Sequence, residues 1–226
     1  MKLAYSLCIG YILLALNLNA QSSYQVGSIS YLNLNKTIKN DWQINFIGEA
    51  RTLYLKNITR SKAKLVYDYQ FSDVSLLGSK KVGLNNRIVF GATLRFDKDI
   101  KKRLTQQFIW FKNYNHIDVT HRFTTDETFS SKNSQVYRLR YRLGLSIPLN
   151  GNTLNPKEWY FKYSNEVLNQ FQSNNYDLEF RISPALGFNF ANQNKVELTT
   201  EYRISQFLNN DVGHQFFAVI NYYISL

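Results

Sequence analysis

The chain has 226 residues and a formal net charge of +11, from 27 Lys and Arg against 16 Asp and Glu, and its mean hydropathy is negative although only 19% of it is charged. Neutral polar residues supply that polarity, asparagine alone occurring 25 times, while the 15% aromatic content argues against disorder. One Cys excludes a disulfide scaffold and a cysteine-ligated zinc site, ten Gly and three Pro exclude collagen-like and low-complexity chains, and three His leave little room for a histidine metal centre.

Residues 1–20 stand apart. Lys2 gives a positive start, residues 3–18 are mostly apolar, and Asn17-Leu18-Asn19-Ala20 precedes Gln21. The pattern is that of a secretory signal peptide cleaved after Ala20, and the apolar run is short for an anchor helix. Cleavage leaves 226 − 20 = 206 residues, no Cys and a charge of +11 − 1 = +10, expected to form one domain over residues 21–226. No later stretch offers about eighteen consecutive apolar residues, so an exported soluble domain or a β-barrel is expected rather than a helical span.

From about Tyr24 onward the dominant period is two, the repeat of a strand whose side chains alternate between faces. Residues 42–56 and 62–74 show it weakly. Residues 87–97 show it clearly, with Ile88, Phe90, Ala92, Leu94 and Phe96 against Arg87, Thr93, Arg95 and Asp97. Residues 97–112 also fit a helical stripe through Ile100, Leu104, Phe108 and Phe111, and are read as a strand from about Arg103. Residues 117–129 alternate weakly. The strongest run is 135–149, where Tyr137, Leu139, Tyr141, Leu143, Leu145, Ile147 and Leu149 face one way and Arg138, Arg140 and Arg142 the other. Residues 158–169, 176–191, 195–205 and 215–226 continue the pattern. Turn clusters separate the runs at Asn150-Gly151-Asn152, Gln172-Ser173-Asn174-Asn175, Gln193-Asn194 and Asn209-Asn210-Asp211.

Several runs hold their alternation for eleven to sixteen residues. That exceeds the usual globular strand of about five or six and suits a tilted membrane strand of about nine to eleven. The polar parity also carries Ser, Gly and Ala, as a crowded lumen needs, and the apolar parity carries Tyr and Phe near strand ends, as interfacial girdles need. The expectation is an all-β, antiparallel up-and-down transmembrane β-barrel. Eleven strand candidates are visible, and the even parity of single-chain bacterial barrels turns these into about twelve strands, with ten as the alternative. A secreted soluble β-sandwich that binds a ligand is the rival fold.

The hairpin LNLNKTIKNDWQINFIGEARTLY, the strands VTHRFTTDETF, YRLRYRLGLSIPL and VELTTEYRI, and the leader ending Ala20-Gln21 together resemble the family called domain of unknown function 2490. The resemblance covers roughly residues 24–226. It implies an outer-membrane β-barrel of Gram-negative bacteria, many of them Bacteroidota, and it implies no activity. Residues 72–86 depart from the family pattern, as if a longer connection stood there.

The candidate functional residues lie on the polar parity. Arg138, Arg140 and Arg142, about 7 Å apart along one strand, would form a positive stripe in a lumen. That stripe would suit an anion path or a site for small anionic solutes, because guanidinium forks match carboxylates and phosphates. The competing expectation is a closed ion network in which the stripe pairs with Glu166, Glu179, Glu197 or Glu201, joined by Arg181 and Arg203. Asp118, Arg122, Asp126, Glu49 and Arg51 share the parity needed to join it. His116, His121 and His214 show no Ser/His/acid spacing, so catalysis is not expected; a lipid-modifying enzyme working through His121 is the alternative from another class. No cofactor motif occurs, and export makes nucleic acid an unexpected partner despite the charge. Lys36, Lys39, Lys80, Lys81, Lys98, Lys101, Lys102 and Arg103 cluster near turns, where outer-membrane lipid headgroups would meet them.

Overall fold

The computed structural model describes residues 23–57, 63–132, 134–206, 208 and 212–226. The predicted leader, the turn residues Asn209-Asn210-Asp211 and part of the β2–β3 connection lie outside the described residues. Eleven strands follow one another: β1 Ser23–Thr37, β2 Trp42–Asn57, β3 Lys64–Lys81, β4 Asn86–Phe96, β5 Ile100–Tyr114, β6 Ile117–Phe129, β7 Val136–Pro148, β8 Glu158–Gln172, β9 Asn175–Asn189, β10 Lys195–Ser205 and β11 Gly213–Ser225. Each pairs antiparallel with its neighbour in sequence, and β1 pairs with β11 to close a barrel. The helical alternative for residues 97–112 is absent, since β5 runs through them. The longer connection expected within residues 72–86 is also absent: β3 continues to Lys81 and β4 begins at Asn86.

The count is eleven, where parity predicted twelve or ten. An even count follows only if the closing pair is antiparallel. Here β1 and β11 run parallel, in register from Ser23 opposite Gly213 to Asn35 opposite Ser225. The two chain ends therefore leave opposite rims. Odd strand numbers with this consequence are known in mitochondrial porins. Parallel pairing is slightly weaker per residue than antiparallel pairing. This seam is reinforced from inside by Ile29, Leu53, Phe217 and Val219, which pack into one buried cluster. Gln215 also donates to Gln25 across it at 2.9 Å. Gly27 sits beneath the cluster at a β-bulge. A Cβ there would lie 2.3 Å from the Thr52 carbonyl oxygen and 3.1 Å from the Phe217 ring.

The alternation read from sequence resolves into an outside and an inside. Leu76, Phe90, Ile100, Leu104, Leu198 and Ile220 are all more than half exposed on the outer surface. Asp126, Glu166, Glu197 and Arg203 are buried inside. This inverts the distribution of a water-soluble protein, in which large apolar residues are mostly buried and charged ones exposed. Exposed Trp42, Tyr114 and Trp159 lie at strand ends near one rim, and Tyr24, Tyr54, Tyr67, Tyr137 and Tyr176 near the other. At about 3.3 Å per residue, even the eleven-residue strands β4 and β10 are long enough to cross a hydrocarbon layer of about 30 Å at a tilt.

Candidate functional site

The lumen is not filled by side chains. A cavity of about 820 Å³ occupies its middle, and a second of about 590 Å³ lies toward the rim carrying the chain's C-terminus. Phe111, Thr120, Ser146, Lys162 and Tyr223 line both. Ten cationic side chains, nine of them Arg, line the larger cavity against four carboxylates, Glu49, Asp73, Glu179 and Glu201. Asp126, Glu166 and Glu197 stand behind this surface, with side chains 0%, 4% and 6% exposed. Counting them gives 10 − 7, a surplus of three positive charges around the cavity.

The arginine column of β7 does not form one continuous stripe. Its members divide between two carboxylates. Arg138 and Arg140 both bind Asp126 of β6 at 2.6 Å, and Arg142 donates to Glu166 of β8 at 2.8 Å. Strand register explains the division. Asp126 lies directly across from Arg138, and Arg142 directly across from Glu166. Arg103 extends the first cluster, 3.8 Å from Asp126 and 3.7 Å from Asp73, and Asp73 takes a bidentate pair from Arg95 with both distances 2.7 Å. Arg103 therefore belongs to the lumen and not to the lipid-facing rim where sequence placed it. Lys36, Lys39, Lys80, Lys81, Lys98 and Lys102 are exposed. Between the β4 and β5 ends, Asp97 accepts from the Lys98 amide at 2.6 Å and from Lys101 at 3.1 Å, which holds its carboxyl below the ordinary value.

The second cluster spans five strands. Directly paired positions read Arg122, Arg142, Glu166, Arg181 and Arg203 from β6 to β10. Arg181 reaches Glu166 at 3.2 Å and pairs with Glu179 on its own strand, as Arg203 does with Glu201. Arg51 lies 3.4 Å from Glu49 and over the rings of Phe71 and Phe217 at 4.6 and 5.0 Å. Of the four carboxylates proposed from sequence for the β7 stripe, Glu166 alone meets it directly. Glu197 serves another group. It accepts from Tyr160 at 2.8 Å, Lys162 at 2.9 Å and Tyr223 at 3.2 Å, where the two cavities meet.

Tyr160 reaches Glu197 by lying flat over Gly187, where a Cβ would come within 2.2 Å of the phenol ring. A larger residue at 187 must displace the tyrosine. Gly187→Val is expected to break the Tyr160–Glu197 bond and lower stability by about 1–3 kcal/mol, as overpacking does; unchanged tyrosine fluorescence and unchanged unfolding would contradict this geometry.

Sequence reasoning put Arg95 on the polar parity without joining it to the network, and it missed Asp73, Lys162, Tyr160 and Tyr223 as members of the lumen. For these four, parity within β3, β8 and β11 was the available signal, but it was weak beside the triple arginine of β7. His121 lies on the outer face, stacked on Trp110 at 4.8 Å and bonded to the Tyr141 hydroxyl at 2.8 Å. His214 likewise bonds Tyr202 at 2.8 Å and stacks on Tyr24 at 5.4 Å. Among the described residues no group of three or more His, Cys, Asp or Glu side chains is placed to hold a metal ion.

Comparison with known proteins adds a family and no activity. No curated protein and no solved structure matches the chain. The family model described as "Protein of unknown function (DUF2490)" matches residues 29–214, from the middle of β1 to the start of β11. That match covers well over half of the chain, which therefore belongs to the DUF2490 family.

Proposed function

We propose that this protein is an integral outer-membrane β-barrel whose arginine-lined, water-filled lumen is a narrow pore favouring small anions. The observation that carries the reading is the inversion of faces. Leu198 is 63% exposed while Glu166 is 3% exposed. An outer surface of this kind belongs in hydrocarbon, because monomeric soluble proteins rarely expose large continuous apolar patches. The closed barrel replaces the two-sheet sandwich considered from sequence. Aromatic residues at both rims suit the two interfaces, and the exposed lysines at the turns suit anionic headgroups.

Anion preference follows from the surplus positive charge around the cavity. In a narrow low-dielectric wall such a surplus raises the local anion concentration and opposes cations. The tests run in two stages. The mature chain should sediment with the outer membrane and migrate faster on gels before boiling than after; recovery in the soluble fraction would overturn the membrane reading. In planar bilayers under a KCl gradient, the reversal potential should have the sign of anion selectivity, and Arg140→Ala should move it toward cations. Absence of any conductance would remove the pore and leave the barrel.

A further inference from the structure

Arg122 is the one arginine of the five-strand row without a carboxylate of its own. Arg142 and Arg181 share Glu166, Arg181 also holds Glu179, and Arg203 holds Glu201. Among the described residues Arg122 makes no direct ion pair and no side-chain hydrogen bond, and the carboxylate whose field reaches it, Glu166, is already held by Arg142 and Arg181. Its directly opposed neighbour on β7 is another arginine, Arg142, and its neighbour on β5 is Ile109. Like charges directly opposite each other on a sheet are destabilising. Arg181 and Arg203 are opposed in the same way, but each holds a carboxylate on its own strand, Glu179 and Glu201, whereas β6 supplies none in contact with Arg122. Arg122, Arg140 and Arg142 all line the central cavity, and Tyr31 and Asn33 of β1 line it too. The Asn33 side-chain oxygen and the Arg140 Nε are buried without a hydrogen-bond partner.

We propose that Arg122, flanked by Arg140 and Arg142, is the binding site for a small oxyanion, a phosphate or carboxylate group. Guanidinium forks accept two oxygens of such a group in plane, and charge-assisted bonds of this kind are the strong ones. The anion would sit where it neutralises Arg122 and screens it from Arg142. Access runs through the outer cavity, where Lys112 and Lys195 are placed ahead of Lys162 and Thr120 at the junction. Asp118 and Glu197 also face that outer cavity, so the positive charge grows inward. The inference rests on the reading of the lumen as aqueous, but it does not require ions to cross.

The test uses the mature chain in detergent micelles and chloride-free buffer. Inorganic phosphate and succinate are titrated calorimetrically, and the unfolding temperature is followed with and without each. Wild type should bind at least one of them and be stabilised by it, with the preferred probe identifying a phosphate-type or a carboxylate-type ligand. Arg122→Gln should weaken binding by on the order of tenfold or more. Arg122→Lys should retain part of it. Without anion, Arg122→Gln should be at least as stable as wild type, because an unpaired charge facing Arg142 is removed. A wild type that binds neither probe, equal binding by Arg122→Gln, or a marked loss of anion-free stability in that variant would each overturn the site. A barrel that binds phosphate without conducting would remove the pore and support the site; one that conducts without binding would do the reverse.

Discussion

Asp126→Asn is expected to lower the unfolding free energy by about 3–5 kcal/mol, the range found when one partner of a buried charge cluster is removed. Asp126 has a fully enclosed side chain and holds Arg138 and Arg140 at 2.6 Å each, with Arg103 at 3.8 Å. Asparagine keeps its shape, so no cavity opens and the loss is electrostatic. Three guanidiniums would then face one another across β5, β6 and β7. All three also line the central cavity, and screening in the aqueous lumen proposed above places the effect toward the lower end of that range. The measurement is the urea midpoint of the folded band on unboiled gels, at constant denaturant slope. Asp126→Asn/Arg138→Gln should recover part of the loss, since it removes one of the stranded charges. The exposed pair Lys132–Asp99 supplies the contrast, because its Lys side chain is 68% exposed. Asp99→Asn should change stability by less than about 1 kcal/mol. Equal effects at 99 and 126 would mean that the buried cluster does not hold the wall together.

Phe217→Ala is expected to cost about 3–4 kcal/mol and to loosen one place in particular. Phe217 is 1% exposed, packs over Gly27 with Leu53, and lies under the guanidiniums of Arg51 and Arg203 at 5.0 Å each. It therefore couples β11, β1 and β2 at the parallel seam. Truncation leaves a void and removes the surface on which two arginines rest. Amide exchange in β1 and β11 should rise more than in β7 and β8, which are held by Asp126 and Glu166. Phe216, the outward neighbour at 45% exposure, is the control and should have a small effect on both measurements when replaced by Ala. Uniform exchange around the barrel would show that the seam is not the weak join.

The two-faced character of these strands was readable from period-two alternation because that signal survives in any strand with two different faces. β7 illustrates it. Its three arginines and its run of Leu, Tyr and Ile determine which residues share a face before any fold is known. Strand boundaries for β6 and β10 coincide with their sequence runs for the same reason. Weaker runs were read short, as at β3, which continues to Lys81 through Ser75-Leu76-Leu77-Gly78-Ser79, where two adjacent leucines break the alternation.

Pairing across strands was not readable in this way. Alternation says that Arg138, Arg140 and Arg142 face together, but register decides that the first two meet Asp126 and the third meets Glu166. A two-residue shift of register keeps every residue on its face while changing all of its opposite partners. The same limit hid the seam. Nothing within β1 or β11 states that they run parallel, because that direction is set by the closure of eleven strands and by the packing of Phe217, Leu53 and Ile29 around Gly27. By itself the sequence determined the two faces of each strand and the all-β class, while closure into a barrel rather than a sandwich came from the strand pairing. Tertiary structure alone decided the strand order at closure, the division of the arginines among carboxylates, and the one arginine of the row left without a direct ion pair. The first kind of information is local and periodic, whereas the second depends on contacts between residues far apart in the chain.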